Sequence, residues 1–187
     1  YLLRDGRLSD RLHLAGKTFS SGQSPPTLLP VIAPQPPTGT LLLCIDLQPV
    51  FLRAVVDGGR VQRRCEFAVA SAVGLGLPVA FTEQVPQKLG GTAPALLALA
   101  PGAATHGKTS FSAFADKGIC DALVRQQRVE HLLLCGIETP ICVYQTAIAA
   151  LAEGLQVTLL SDCIGARHPE DSAACLVALR AAGVQPE

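Results

Sequence analysis

Cys142 follows Thr139, Pro140 and Ile141, a few residues downstream of the apolar run 132–135 and Gly136. A short apolar run closed by glycine reads as a buried strand. Thr139 and Pro140 then read as the N-cap and first position of a helix. This spacing predicts that Cys142 lies in the first helical turn after a strand. Free N–H groups and the positive end of the helix dipole favour a thiolate there, and the thiolate is the nucleophilic form of cysteine. The competing role is that of a small buried hydrophobe, which is what most free cysteines are. Partners elsewhere in the chain must decide. Asp46 is one candidate, because it closes a second apolar run at 41–45. Alone it would read as a cap or turn residue before Pro49, but an acid closing an apolar strand on the same rim as Cys142 is less easily dismissed as one.

The elements that must position these two residues are legible from residue 41 onward. Runs at 41–45, 78–81, 132–135 and 157–160 read as strands. Val61, Cys65, Val69 and Ala72 recur at helical spacing up to Gly74, and shorter helices are expected near 95–99 and 119–123. Residues 140–153 read as a largely apolar helix stopped by Gly154. A last helix opens at Pro169, Glu170 and Asp171 and runs toward Gly183. Residues 82–92 read as an irregular loop. Strands alternating with helices predict an α/β fold, a three-layer α/β/α sandwich on a mainly parallel sheet. In such sheets, sites form beyond the carboxyl ends of the strands, where Asp46 and Cys142 both fall.

Composition narrows the function. Of 187 residues, 49% are hydrophobic and 16% charged, which describes a core-rich globular chain. Fifteen basic and fifteen acidic residues cancel, which argues against a nucleic-acid footprint or a membrane-surface patch. The uncharged stretch 18–45 carries Pro25, Pro26, Pro30, Pro34, Pro36 and Pro37, which a spanning helix would not tolerate. Arg4, Asp5, Arg7, Asp10 and Arg11 crowd the start, against a secretory leader. Seven cysteines without a C-x-x-C pair fit a reducing, cytoplasmic setting. Residues 1–39 read as an extended Pro/Ser/Gly-rich arm and 40–187 as one domain.

Three separated motifs resemble those of the isochorismatase-like cysteine hydrolases, the superfamily that includes nicotinamidases and carbamoylsarcosine amidohydrolases. Asp46-Leu-Gln48 resembles its strand-end D-x-Q, and Lys108-Thr-Ser-Phe111-Ser-Ala-Phe114 its K-x-x-F-S-x-F. Gly136-Ile-Glu-Thr139-Pro-Ile-Cys142-Val143 resembles G-x-x-T-x-x-C-V. The likeness spans about residues 40–183, and Thr82-Glu-Gln84-Val-Pro86-Gln-Lys-Leu89-Gly90 resembles a loop of isochorismatase domain-containing proteins.

The resemblance implies a triad of Asp46, Lys108 and Cys142, with Lys108 stabilising the thiolate. It also implies an oxyanion site formed by the N–H groups of Glu138 and Cys142, the former presented by a cis peptide after Ile137. Gln48, Glu83, Gln84 and Phe111 become the candidate substrate contacts. Phe111 and Phe114 beside Lys108 imply a partly buried setting for that lysine. Relatives with a metal hold it through histidines after the first strand, whereas residues 47–105 contain none. No metal and no cofactor are therefore expected. The implied activity is hydrolysis of a small amide or related C–N bond through an acyl-enzyme on Cys142, by a homo-oligomer acting on a small molecule. The alternative is a non-catalytic binding protein that keeps the fold.

Overall fold

The computed structural model describes residues 38–187, so nearly all of the proline-rich arm assigned to 1–39 lies outside the described residues. One sheet carries the fold. Its strands are β1 (Thr40–Ile45), β2 (Val79–Gln84), β3 (Ala104–Lys108), β4 (His131–Ile137), β5 (Gln156–Gly165) and β6 (Gln185–Pro186). Their order is β3-β2-β1-β4-β5-β6, and every neighbouring pair is parallel.

The helices are α1 (Pro49–Leu52), α2 (Gly58–Gly74), α3 (Pro86–Leu89), α4 (Pro94–Leu99), α5 (Lys117–Cys120), α6 (Tyr144–Ala152) and α7 (Pro169–Ala181). Wider π-helical stretches follow α5 at Asp121–Gln126 and precede α6 at Thr139–Val143. Alternation along β1 sends Leu41, Leu43 and Ile45 to one face and Leu42 and Cys44 to the other. The first face packs under Val143, Ala147 and Ala150 before and within α6, and under Cys175 and Leu179 of α7. The second packs under Val61, Cys65 and Val69 of α2 and Leu96 of α4. Burial on both faces explains why the strand is a continuous apolar run, and each buried leucine contributes about 2 kcal/mol.

The three-layer α/β/α architecture matches the sequence expectation, with differences at the edges. Four strands are expected, and six are present among the described residues. β3 is exposed along most of its length as an edge strand, so its residues carry no apolar alternation. β6 has only two residues. β2 extends through Thr82, Glu83 and Gln84 into the segment expected to be irregular, and α3 makes a turn of helix within it. The single helix expected over 140–153 begins as the π turn. All seven cysteines are free and buried. Among the described residues no helix is long and apolar enough to cross a membrane.

One close approach governs the rim. Gly136 has φ +127, and a Cβ there would sit 2.1 Å from the carbonyl oxygen of Ile45, its register partner on β1. Only glycine lets β4 lie this close to β1 just before Asp46. Gly136→Ala is expected to destabilise the chain by about 3 kcal/mol, from overpacking plus left-handed strain. A shift in the urea midpoint measures it.

Candidate active site

Asp46 leaves the end of β1 with φ 51, a left-handed conformation that aspartate tolerates better than most residues. Its N–H donates to the carbonyl of Thr82 (3.0 Å), and its own carbonyl accepts from Gln48 N–H (2.7 Å). Both carboxylate oxygens are occupied. Oδ1 accepts from the Thr82 hydroxyl at 2.9 Å, and Oδ2 from Lys108 Nζ at 2.6 Å. The two charged side chains are 1% and 0% exposed. Burying them costs several kcal/mol per ion unless geometry and further hydrogen bonds compensate. Here they do, since Lys108 Nζ also donates to Gln84 Oε1 (2.6 Å) and to the Ser110 carbonyl (3.2 Å).

Cys142 lies in the π turn that joins β4 to α6, and it is 8% exposed. Pro140 takes the first turn as expected, but Thr139 is not the cap. Its hydroxyl donates to the carbonyl of Gly165 at 3.0 Å, tying β5 to the turn. Glu138 occupies the cap position without a capping side chain, because its carboxylate accepts from Arg167 at 2.6 and 3.0 Å. The Glu138 carbonyl accepts from the N–H groups of Ile141 and Val143, and the Ile137–Glu138 peptide is cis.

The expected thiolate is corrected by the surroundings of the sulfur. Burial first, and then the Asp46 carboxylate, push the Cys142 thiol up to about 12, while the Lys108 ammonium and a backbone hydrogen bond from Glu138 pull the other way. At neutral pH the resting residue is a thiol. The helix-start argument counts the dipole and leaves out desolvation, which dominates for a side chain this buried.

Of the other predicted residues, Gln84 bonds Lys108 directly and Gln48 bonds Gln84, while Glu83 is held at Thr92, so the polar atoms of all three are engaged within the protein. Gln48 is fully buried. Its Nε2 donates to the carbonyls of Gln84 and Gly90, and its Oε1 accepts from Gln84 N–H at 2.7 Å. Glu83 Oε1 accepts from Thr92 N–H at 2.6 Å. Gln84 donates to the Thr109 carbonyl at 3.1 Å. The two phenylalanines beside Lys108 part company, Phe114 being buried and Phe111 53% exposed. Sequence reasoning missed the Thr82 hydroxyl and the Arg167 guanidinium. The first was legible in principle, since β1–β2 register sets Thr82 opposite Ile45. Among the described residues, no three His, Cys, Asp or Glu side chains converge in a way that could hold a metal ion.

Because Cys142 is protonated at rest, its alkylation by iodoacetamide is expected to climb about tenfold per pH unit between about pH 7 and 10, without a plateau. Mass spectrometry of the Cys142 peptide measures it. A plateau near neutrality would mean a pre-formed thiolate.

Comparison with known proteins shows the family. Residues 40–186 match the isochorismatase domain. Isochorismatase domain-containing protein 2 of Bos taurus is 34% identical over 147 residues, covering 79% of this chain and 70% of the bovine protein. The MAR1 ribonuclease structure from Caenorhabditis elegans superposes with a TM-score of 0.73 at 29% identity, over 80% of this chain and 76% of that one. The YcaC structure from Escherichia coli, described as an octameric hydrolase of unknown specificity, gives 0.74 at 22% identity over 79% and 74% and shares the fold. By its sequence match and its relatives, the chain belongs to the isochorismatase domain family.

Proposed function

We propose that the chain is a cysteine hydrolase acting on a small amide or related C–N bond, with Asp46, Lys108 and Cys142 as its catalytic residues. The observation that carries this reading is the fully buried Asp46–Lys108 ion pair, closed at 2.6 Å at the ends of the parallel strands. The Cys142 thiol passes its proton to Asp46 as the sulfur attacks the substrate carbonyl. The N–H groups of Glu138 and Cys142 receive the oxyanion. The tetrahedral intermediate collapses, the C–N bond breaks, and Asp46 returns the proton to the departing amine or ammonia. Water, losing a proton to Asp46, then attacks the thioester, and the acid leaves as the Cys142 thiol re-forms. Each proton that Asp46 accepts is given back within the cycle.

A non-catalytic binding protein would have no use for all three residues together. The ribonuclease activity of the Caenorhabditis elegans neighbour is not carried over, since fifteen basic and fifteen acidic residues leave no charge excess to hold a polyanion. Exposed Phe111 is retained as a substrate contact, whereas Gln48 and Glu83 are assigned to holding the loops and Gln84 to the Lys108 ammonium. Seven free, buried thiols support a reducing, cytoplasmic setting.

Incubation with a panel of small amides is expected to leave an acyl adduct on Cys142, seen by mass spectrometry. Cys142→Ala should abolish turnover, and Asp46→Asn should lower it by about 10²–10⁴-fold. EDTA should leave the rate unchanged. Loss on chelation with recovery on adding zinc would assign the chemistry to a metal instead. We further propose that the chain assembles with itself, as the octameric Escherichia coli neighbour does. Light scattering at micromolar concentration should give a multiple of 19.5 kDa, and a monomer mass would refute it.

A further inference from the structure

Lys108 is a buried ammonium whose three N–H bonds have three acceptors: Asp46 Oδ2, Gln84 Oε1 and the carbonyl of Ser110. An ammonium has no fourth donor. Lys108 therefore has nothing left to donate to the sulfur, to an oxyanion or to a leaving group, and it acts on Cys142 through its charge alone. Where that charge sits then depends on the three acceptors. Gln84 is the only neutral side chain among them.

Gln84 is itself held from several directions. Its Nε2 donates to the carbonyl of Thr109, so Oε1 must face the lysine; the flipped amide would set NH2 against NH3+. Its backbone N–H and carbonyl are both bonded to the Gln48 amide, at 2.7 and 3.0 Å. Register pairs its Cα with that of Lys108 across β2 and β3. The next residue, Val85, is β-branched yet has φ 41, and its N–H donates to the Lys108 carbonyl at 2.9 Å. A valine in the left-handed region is strained and persists only where its surroundings enforce it. Val85 directly follows Gln84 and ties the end of β2 to the Lys108 backbone.

We propose that Gln84 is a positioning residue of the hydrolytic site: its neutral carbonyl oxygen clamps the Lys108 ammonium against Asp46 and so fixes the positive charge that faces Cys142, without touching substrate. This rests on the hydrolase reading of the same three residues. Neutrality matters as much as shape. A glutamate at this position would put a second carboxylate on the ammonium and oppose ionisation of the sulfur, whereas a leucine would leave a buried N–H bond without an acceptor.

The test uses the full chain labelled with ¹⁵N-lysine. It has four lysines, Lys17, Lys88, Lys108 and Lys117, and Lys108→Arg identifies the signal of interest. Wild type is expected to show a slowly exchanging Lys108 ammonium signal, which Gln84→Leu should lose. Alkylation of Cys142 at about pH 8 should slow about tenfold in the same variant. Gln84→Glu, equal in length and a safeguard against misfolding, should keep the lysine signal but slow alkylation, with kcat lowered and KM unchanged on any substrate found. Unchanged lysine signal and unchanged alkylation in Gln84→Leu would overturn the proposal. So would a rise in KM alone in Gln84→Glu, which would make Gln84 a substrate contact. Absence of Cys142 alkylation in wild type, with the lysine signal still lost in Gln84→Leu, would overturn the hydrolase reading and reduce the clamp to a structural contact.

Discussion

The buried ion pair between Asp46 and Lys108 is the interaction on which the site depends. Its members come from the ends of β1 and β3, which are not neighbours, because β2 lies between them. Adjacent strands are about 4.8 Å apart, so the two backbones are separated by roughly 10 Å. Only a long side chain bridges that gap, and only if the end of β2 lets it pass. Thr82 is short and bonds Asp46 itself, while Gln84 folds against Lys108 rather than across its path. A lysine at this position thus has a geometric role as well as a chemical one. The pair also constrains the fold, since removing one member strands a buried charge at a cost of roughly 3–5 kcal/mol.

A thiol raised to about 12 looks ill suited to nucleophilic work, but that value describes loss of the proton to bulk water. With Asp46 anionic and Lys108 cationic, the site is neutral before Cys142 ionises. Loss of the thiol proton to solvent would leave a net negative charge in a desolvated place. Transfer to Asp46 does not, because the carboxyl becomes neutral as the thiolate forms beside Lys108. The net charge is the same before and after. On the proposed hydrolase reading, the sulfur is therefore a weak acid toward solvent and a better one toward Asp46.

Much of this was legible in the sequence because the central strands are buried on both faces. Runs such as 41–45 admit only one reading, and the residue that ends each run lies on the functional rim. The edge strand β3 escaped notice because solvent on its outer side relaxes the pattern, so Lys108 was identified from its flanking motif rather than from the element that carries it. The protonation state of Cys142 was read wrongly for a related reason. Sequence shows the start of a helix but not the depth at which it lies, and depth decided the sign. Thr139 shows the same limit. A threonine before a proline is a good cap in isolation, but the carbonyl of Gly165, which claims its hydroxyl, comes from a strand 26 residues further on.

On the proposed hydrolase reading, the acids of the rim show how one proton acceptor is set apart from the others. Among the described residues, the buried carboxylates are those of Asp46, Glu83 and Glu138, and each lies at or just beyond the end of a strand. An unpaired buried carboxylate near the sulfur would compete for the thiol proton and suppress ionisation further. Glu83 is directed to the Thr92 N–H and Glu138 to Arg167. Glu138 is the more demanding case, because it directly precedes the turn that carries Cys142, so its carboxylate must be kept from the sulfur. The bidentate guanidinium does this by drawing the side chain toward β5, where Arg167 follows the strand end. Asp46 is thereby left as the carboxylate that pushes the Cys142 thiol up, and on the proposed reading the lysine paired with it would also stabilise the thiolate.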